Sequence, residues 1–249
     1  MSRGTILITG ASSGLGAEMA RQFAALGYDL ALCARRRERL TGLREEILSA
    51  SPERRVEIAA LDVTDDAAVF EVFRGFAATF GVLERVIVNA GLGKGAPLGT
   101  GRYEANRETA MTNFVAGLAQ AEAAMEIFRR QEHGHLVVVS SISALRGMRK
   151  SMTTYAASKS GIAALAEGLQ SERVRGVDVS IVYPGYIRSE MNEHVEQQTR
   201  FMVDTETGVR AMVAAIEKRV AKAYVPPWPW VPLGTLLRVL PLGVVRRLT

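Results

Sequence analysis

Short apolar runs alternate with longer stretches of helical periodicity along most of this chain. The apolar runs lie at residues 5–9, 29–34, 56–61, 85–88, 136–140 and 177–183, and Tyr224-Val225 begins a short seventh. Between them, apolar positions recur at helical spacing over 13–26, 36–50, 65–80, 105–130, 153–173 and 205–220. The runs Ile6-Leu7-Ile8, Val86-Ile87-Val88 and Val137-Val138-Val139 are continuous, not alternating. A strand that is apolar on both faces is buried on both faces, as in a parallel sheet covered by helices. Strand–helix alternation with right-handed crossovers then predicts an α/β fold: a single-domain, doubly wound parallel sheet with helices on both faces. No linker composition interrupts the pattern before about residue 226.

The first strand runs into Thr9-Gly10-Ala11-Ser12-Ser13-Gly14-Leu15-Gly16, which opens a helix. In a strand–loop–helix unit the first glycine permits a tight turn, and the later ones let backbone approach a pyrophosphate and let the helix pack on the sheet. The helix N-terminus offers free N–H groups to phosphate, and Ser12 and Ser13 are candidate caps. This context makes the fold Rossmann-type and the loop a dinucleotide cradle. The second strand ends at Cys33-Ala34 and continues into Arg35-Arg36, with no acid at the position where an NAD site holds the ribose hydroxyls. Two guanidiniums suit a 2′-phosphate, so the cofactor expected is NADP(H). Arg37 and Arg39 read as a solvated start to the next helix.

Tyr155-Ala-Ala-Ser-Lys159 places a tyrosine and a lysine one turn apart on one helix face. A free phenol titrates near 10, and a nearby ammonium lowers it, so the pair is a candidate general acid/base. Ser141 lies 14 positions before Tyr155, after the fifth apolar run, and Asn89-Ala90-Gly91 closes the fourth. TGASSGLG at 9–16, LDV at 61–63, NAG at 89–91, Asn113, SSIS at 140–143, YAASK at 155–159 and PGYIRS at 184–189 follow one another in order. In this set the chain resembles the short-chain dehydrogenase/reductase family, in its common subgroup of about this length, over residues 5 to about 190.

The resemblance implies hydride transfer between a nicotinamide and a carbonyl or secondary alcohol, and it assigns roles. Tyr155 would pass a proton to or from the substrate oxygen. Lys159 would hold the nicotinamide ribose and lower the tyrosine pKa. Ser141 would bind and polarise the carbonyl, with Ser143 a candidate helper, and Asn113 would hold a relay water. Gly10, Ser12, Ser13, Gly14, Leu15, Gly16, Arg35 and Arg36 would hold the phosphates, and Asp62 and Val63 would contact the adenine. Asn89, Ala90 and Gly91 would border the cofactor, Pro184, Gly185 and Ile187 would lie near the nicotinamide, and Ser189 would contact phosphate or carboxamide. A homodimer or homotetramer is expected by the same analogy. Nucleotide-sugar and enoyl-reducing branches do not fit the length, glycine spacing and Tyr–Lys spacing. A non-catalytic dinucleotide-binding protein on the same fold is the alternative, since fold does not fix function.

Composition adds limits. A 48% apolar, 23% charged chain is an ordinary globular one. The net charge of +5 comes without aromatic–basic interleaving, so no nucleic-acid partner is expected. The lone Cys33 reads as a small buried residue and allows no internal disulfide, and with no signal-peptide pattern a cytoplasmic protein is expected. His133, His135 and His194 have no metal-ligand spacing, so no metal is expected.

A catalytic domain of residues 1–226 is expected, with a substrate lid at about 186–210 carrying Met191, Val195, Phe201, Met202 and Val203, which suits an apolar ketone or aldehyde. The tail, 227–249, places Leu233, Leu236, Leu237, Leu240 and Val244 at helical spacing beside Trp228, Trp230, Arg238, Arg246 and Arg247. Two readings stay open for it: packing on protein, or peripheral contact with a membrane by a reductase of lipids or ketosteroids. Pro241 would bend any helix there, which counts against the membrane reading.

Overall fold

Continuous apolar strands require cover on both sides, and the computed structural model provides it. It describes residues 2–190 and 201–248. The strands are β1 (Thr5–Thr9), β2 (Asp29–Ala34), β3 (Val56–Ala60), β4 (Arg85–Val88), β5 (Gly134–Val139), β6 (Val177–Pro184) and β7 (Lys222–Val225). They form one sheet in the order β3-β2-β1-β4-β5-β6-β7, every pairing parallel. Alternate side chains of each strand feed two cores. Ile6, Ile8, Leu30 and Leu32 pack with Met19 and Phe23 of α1 (Gly14–Ala25), Leu40 and Ile47 of α2 (Arg37–Ala50) and Met212 and Ile216 of α7 (Thr205–Glu217). Leu7, Cys33, Val86 and Val138 point the other way, onto Phe73 and Phe76 of α3 (Asp66–Phe80), Phe128 of α5 (Ala116–Gln131) and Ile162 of α6 (Met152–Glu172). Cys33 is fully buried there, and burial pushes its thiol up to about 12, as expected of an inert packing residue.

The helical stretch expected over 105–130 is not one helix. It begins as α4 (Tyr103–Ala110), passes through a π turn at Met111–Val115, and resumes as α5. A π turn inserts one extra residue per turn and re-aims the side chains within it; here it turns Asn113 inward, where it is buried. The tail is helical, but Pro241 does more than bend it: the helix is interrupted at 240–241, giving α8 (Pro227–Val239) and α9 (Leu242–Leu248).

The fifth strand starts two residues earlier than its apolar run predicts, because tertiary partners satisfy its polar start. Arg85 is fully buried, and its Nε donates to His135 Nδ1 (2.9 Å). That leaves His135 Nε2 carrying the proton toward Ser180 Oγ (2.8 Å). Arg85 Nη1 pairs with Glu217 (2.8 Å), which also accepts from Tyr28 Oη (3.0 Å) and Arg3 (2.9 Å). Burial, then the Arg85 and Arg219 cations, lower the His135 pKa to about 3, so the imidazole is a neutral structural link. This network ties β4, β5, β6 and α7 together toward the N-terminal ends of these interior strands.

Candidate active site

The strand order reverses between β1 and β4, and a cleft opens at the C-terminal ends of the strands there. Gly10 turns at φ 66°, a conformation that costs a side-chain-bearing residue energy. Gly16 sits so close to it that a Cβ would lie 2.4 Å from the Gly10 carbonyl oxygen, so only glycine lets α1 start here. Thr9 Oγ1 accepts from the Asn89 and Ala90 N–H groups (3.0 and 3.1 Å), and Asn89 Nδ2 donates to Thr9 O (2.9 Å). These bonds hold 89–91 against the loop. The cradle residues Gly10, Ser12, Ser13, Gly14, Leu15 and Gly16 all line the cleft, as do Asp62, Val63, Asn89, Ala90, Gly91, Pro184, Gly185, Ile187 and Ser189.

Ser13 takes the cap position of α1, but its hydroxyl does not cap the helix. It accepts instead from Arg36 Nη2 (2.6 Å), while Ser12 Oγ accepts from Arg36 Nε (3.3 Å). Arg35 and Arg36 line the cleft wall at the end of β2. Arg36 also pairs with Glu190, whose Oε2 is 3.1 Å from both Nη1 and Nη2, and Arg39 bonds the other carboxylate oxygen. Arg39 is therefore not the plain solvated residue expected. The hydrogen bond from Arg39, then those from Arg36, holds the Glu190 carboxyl below its ordinary range. Nothing in the local pattern at the end of β2 foretells Glu190, which comes from 154 residues further along the chain.

At the other end of the cleft the Ser141, Tyr155 and Lys159 side chains converge. Ser141 is nearly buried; its Oγ accepts from the Ser143 N–H (3.2 Å) and donates to Ser143 Oγ (3.3 Å), so Ser143 does support it. Lys159 is buried, and its Nζ donates to the Val139 carbonyl (2.9 Å). A Cβ on Gly91 would lie 3.0 Å from Asn113 Oδ1 and 3.3 Å from Lys159 Nζ, so glycine there leaves room for both; Lys159 lines the cleft, while Asn113 is buried behind it. Asn113 Oδ1 accepts from Leu92 N–H (2.8 Å), and its Nδ2 donates to Leu92 O (2.9 Å) and Ser158 Oγ (3.2 Å).

The electrostatics differ from the expectation that Lys159 depresses the tyrosine. Burial pushes the Tyr155 phenol up from its ordinary value; the hydrogen bond with Ser141 pulls it back only in part, and Tyr186 adds to the rise. Lys159 is itself lowered to about 8 by burial, with its ammonium turned to the Val139 carbonyl.

The sequence also missed Trp230 of α8. It is buried against Gly185, where a Cβ would lie 2.0 Å from Trp230 Nε1, and its ring meets Tyr186 edge-on at 5.3 Å. Of the residues named for the expected lid, Met202 and Val203 are partly buried and Phe201 is exposed, while Met191 and Val195 lie outside the described residues, as does His194.

A parallel sheet with a glycine-lined phosphate cradle at its switch point and a Ser–Tyr–Lys cluster across the cleft defines a dinucleotide-binding oxidoreductase class. The family model for short chain dehydrogenase matches residues 4–200. The chain is 49% identical over 248 residues to an uncharacterized oxidoreductase of Mycobacterium tuberculosis, covering 99% of this chain and 98% of that one. Among solved structures, a short-chain dehydrogenase from Sphingobium yanoikuyae in complex with NADPH superposes with a TM-score of 0.83 at 27% identity, covering 98% of this chain and 94% of that one. An alcohol dehydrogenase from the archaeon Thermococcus sibiricus, complexed with 5-hydroxy-NADP, gives 0.79 at 25% identity, covering 89% and 94%. The chain belongs to the short-chain dehydrogenase family and is an oxidoreductase of that family.

Proposed function

We propose that the chain is an NADP(H)-dependent oxidoreductase acting on a carbonyl or secondary alcohol, in particular an apolar ketone or aldehyde. The observation that carries this reading is the cleft itself, with Arg35 and Arg36 at one end and Ser141, Tyr155 and Lys159 at the other. The residues present fit a dinucleotide: the bare Gly10–Gly16 contact leaves room for a pyrophosphate at the N-terminus of α1. Arg35 and Arg36 would hold a 2′-phosphate, Asp62 and Val63 would border the adenine, and Lys159 would hold the nicotinamide ribose. Asn89, Gly91, Pro184, Gly185, Ile187 and Ser189 would line the rest of its length.

When bound, the nicotinamide gives or takes the hydride at the substrate carbon. The chain's own groups handle the oxygen. Ser141 donates a hydrogen bond to it, and Tyr155 Oη gives it a proton during reduction or takes one during oxidation. Asn113, fixed by the π turn, would position a water that resupplies the proton through Lys159. Val203 packs on the core and pairs with Ile187, and neither it nor Met202 lines the cleft, so the apolar character of the substrate rests on the chain-length series below. Phe114 and Leu118, exposed on the π turn and α5, support assembly into a homodimer or homotetramer.

The test is oxidation of NADPH against NADH over ketones and aldehydes graded by chain length, with Tyr155→Phe beside the native chain. NADPH preference, rates rising with chain length, and a loss of roughly 10²–10⁴ in kcat for the variant are expected. NADH preference would remove the role given to Arg35 and Arg36. Turnover indifferent to Tyr155→Phe would refute the proton route. Cofactor binding without turnover on any carbonyl would favour the non-catalytic alternative.

A further inference from the structure

The C-terminal helices have an inner and an outer face of different character. The inner face is packed: Trp230 sits against Gly185 and Tyr186, and Gly234 faces Leu145, Ile142 and Tyr224. The outer face leaves large apolar side chains uncovered. Trp228 is 76% exposed, Val239 72% and Leu242 60%, with Val231, Leu236 and Val244 exposed among them. Isolated exposed apolar residues are ordinary, but a run of six along two consecutive helices is a patch.

Charge says what covers it. From residue 218 to the C-terminus the chain has no Asp or Glu, and it carries Arg238 in α8 and Arg246 and Arg247 in α9. The turn Ile142–Leu145, on which α8 packs, leads into Arg146, Arg149 and Lys150, and residues 141–166 also lack any carboxylate. Arg149 and Lys150 are exposed and form no ion pair among the described residues. Arg238 lies over the Tyr224 ring on the inner side, so the cations open to a surface are Arg149 and Lys150, on the chain that leaves the turn under α8. Exposed apolar side chains with these cations close by in the chain, and no acid in either segment, match the headgroup region of an anionic bilayer. A second copy of this chain would bring the same cations against themselves. No helix among the described residues is long and apolar enough to cross a membrane, so the contact is lateral.

We propose that the outer face of α8 and α9 docks the protein on an anionic lipid surface, with Arg149 and Lys150, on the chain that leaves the turn under α8, as the open cations. The inner face of α8 holds Tyr186, next to Gly185 and Ile187 of the cleft lining, so the docked helix lies directly behind that wall of the cleft. Docking itself does not depend on the reaction assigned above, and its test reads binding alone.

The full-length chain is sedimented with vesicles of phosphatidylcholine alone and of phosphatidylcholine with phosphatidylglycerol. Binding to the anionic vesicles roughly tenfold or more tighter than to the neutral ones is expected, falling with added salt. Trp228 emission should shift to the blue on binding, and Trp228→Phe should remove that shift, since Trp230, the other tryptophan, is already buried. The triple variant Trp228→Ser, Val239→Ser, Leu242→Ser should bind roughly a hundredfold more weakly. Arg149→Glu with Lys150→Glu reaches the same contact without altering α8 or α9 and should abolish the preference for anionic vesicles. Absence of vesicle binding at low salt, or binding that neither set of changes weakens, overturns the proposal. Self-association lost in the triple variant, without vesicle binding in the native chain, overturns it in favour of a second copy.

Discussion

Glu190 stands where a phosphate is expected, and replacing it with Gln tests that assignment directly. One carboxylate holds two guanidiniums: Arg36 at 3.1 Å through both terminal nitrogens, and Arg39. A 2′-phosphate seated on Arg36 must first take it from Glu190. All three side chains are 43–49% exposed, so solvent screens the pairs, and each is worth about 0.2–1 kcal/mol. Together they oppose the phosphate by about 1 kcal/mol, or about fivefold in affinity. Glu190→Gln keeps the shape and removes the charge. It should therefore bind 2′,5′-ADP about fivefold more tightly than the native chain while binding 5′-ADP unchanged. Calorimetric titration with the two fragments reads this without turnover, and raising the salt should shrink the difference. An equal gain for both fragments, or no gain, refutes the competition. If the native chain does not distinguish the fragments at all, the assignment of Arg35 and Arg36 to the phosphate fails instead.

Other consequences follow from burial. Trp230→Ala removes a large side chain wedged on Gly185 and should cost about 3–5 kcal/mol, read as a lowered urea midpoint. His135 should remain neutral in the folded protein down to about pH 3. Because the unfolded chain takes up that proton near 6.5, this residue's contribution to stability is lost progressively as pH falls from 6.5 toward 3, about 2 kcal/mol of it by pH 5. A histidine resonance of the folded protein titrating near 6.5 and assigned to His135 would contradict it. Lys159 works in the opposite range. Its pKa falls from 10.5 unfolded to about 8 folded, so burying it costs most below 8, and stability rises with pH from 8 to 10.5 by about 3 kcal/mol. Cys33 and Tyr183, each held protonated up to about 12, oppose this at the alkaline end. The difference between native chain and Lys159→Met isolates the lysine, and parallel stability–pH curves from urea unfolding would refute the prediction.

The fold was legible wherever one residue's pattern answers to its immediate neighbours. Ile6-Leu7-Ile8 and Val137-Val138-Val139 announce strands buried on both faces because every position needs apolar cover. Tyr155 and Lys159 share a helix face by spacing alone, and Gly10 and Gly16 mark a turn that no Cβ could enter. What was not legible depends on partners distant in sequence. His135 belongs to a strand only because Arg85 and Ser180 satisfy its two ring nitrogens. The π turn at 111–115 leaves no periodic mark, since one extra residue in a turn changes the facing of side chains without changing their types. Glu190 comes to the cleft, and Trp230 packs behind its wall on Gly185, from segments far along the chain, and no spacing rule links them to Arg36 or Gly185.

The acid–base pair shows how the three-dimensional setting changes the meaning of a motif. Spacing alone suggests an ammonium that depresses a phenol. The folded chain instead buries both groups, and burial disfavours charge on either, raising Tyr155 and lowering Lys159. With Nζ given to Val139 O, the lysine's charge serves the backbone of β5 before it serves the tyrosine. A phenol held neutral through the physiological range is a proton donor, the state that reduction of a carbonyl requires. Oxidation of an alcohol requires the phenolate, which burial opposes and the Ser141 hydrogen bond favours only in part. The same residues can run both directions, and burial of the phenol makes the phenolate the costlier of its two protonation states. Opening the oxidative direction requires charge to be brought back to the phenol, and Lys159, which lines the cleft beside Gly91, is the group placed to supply it.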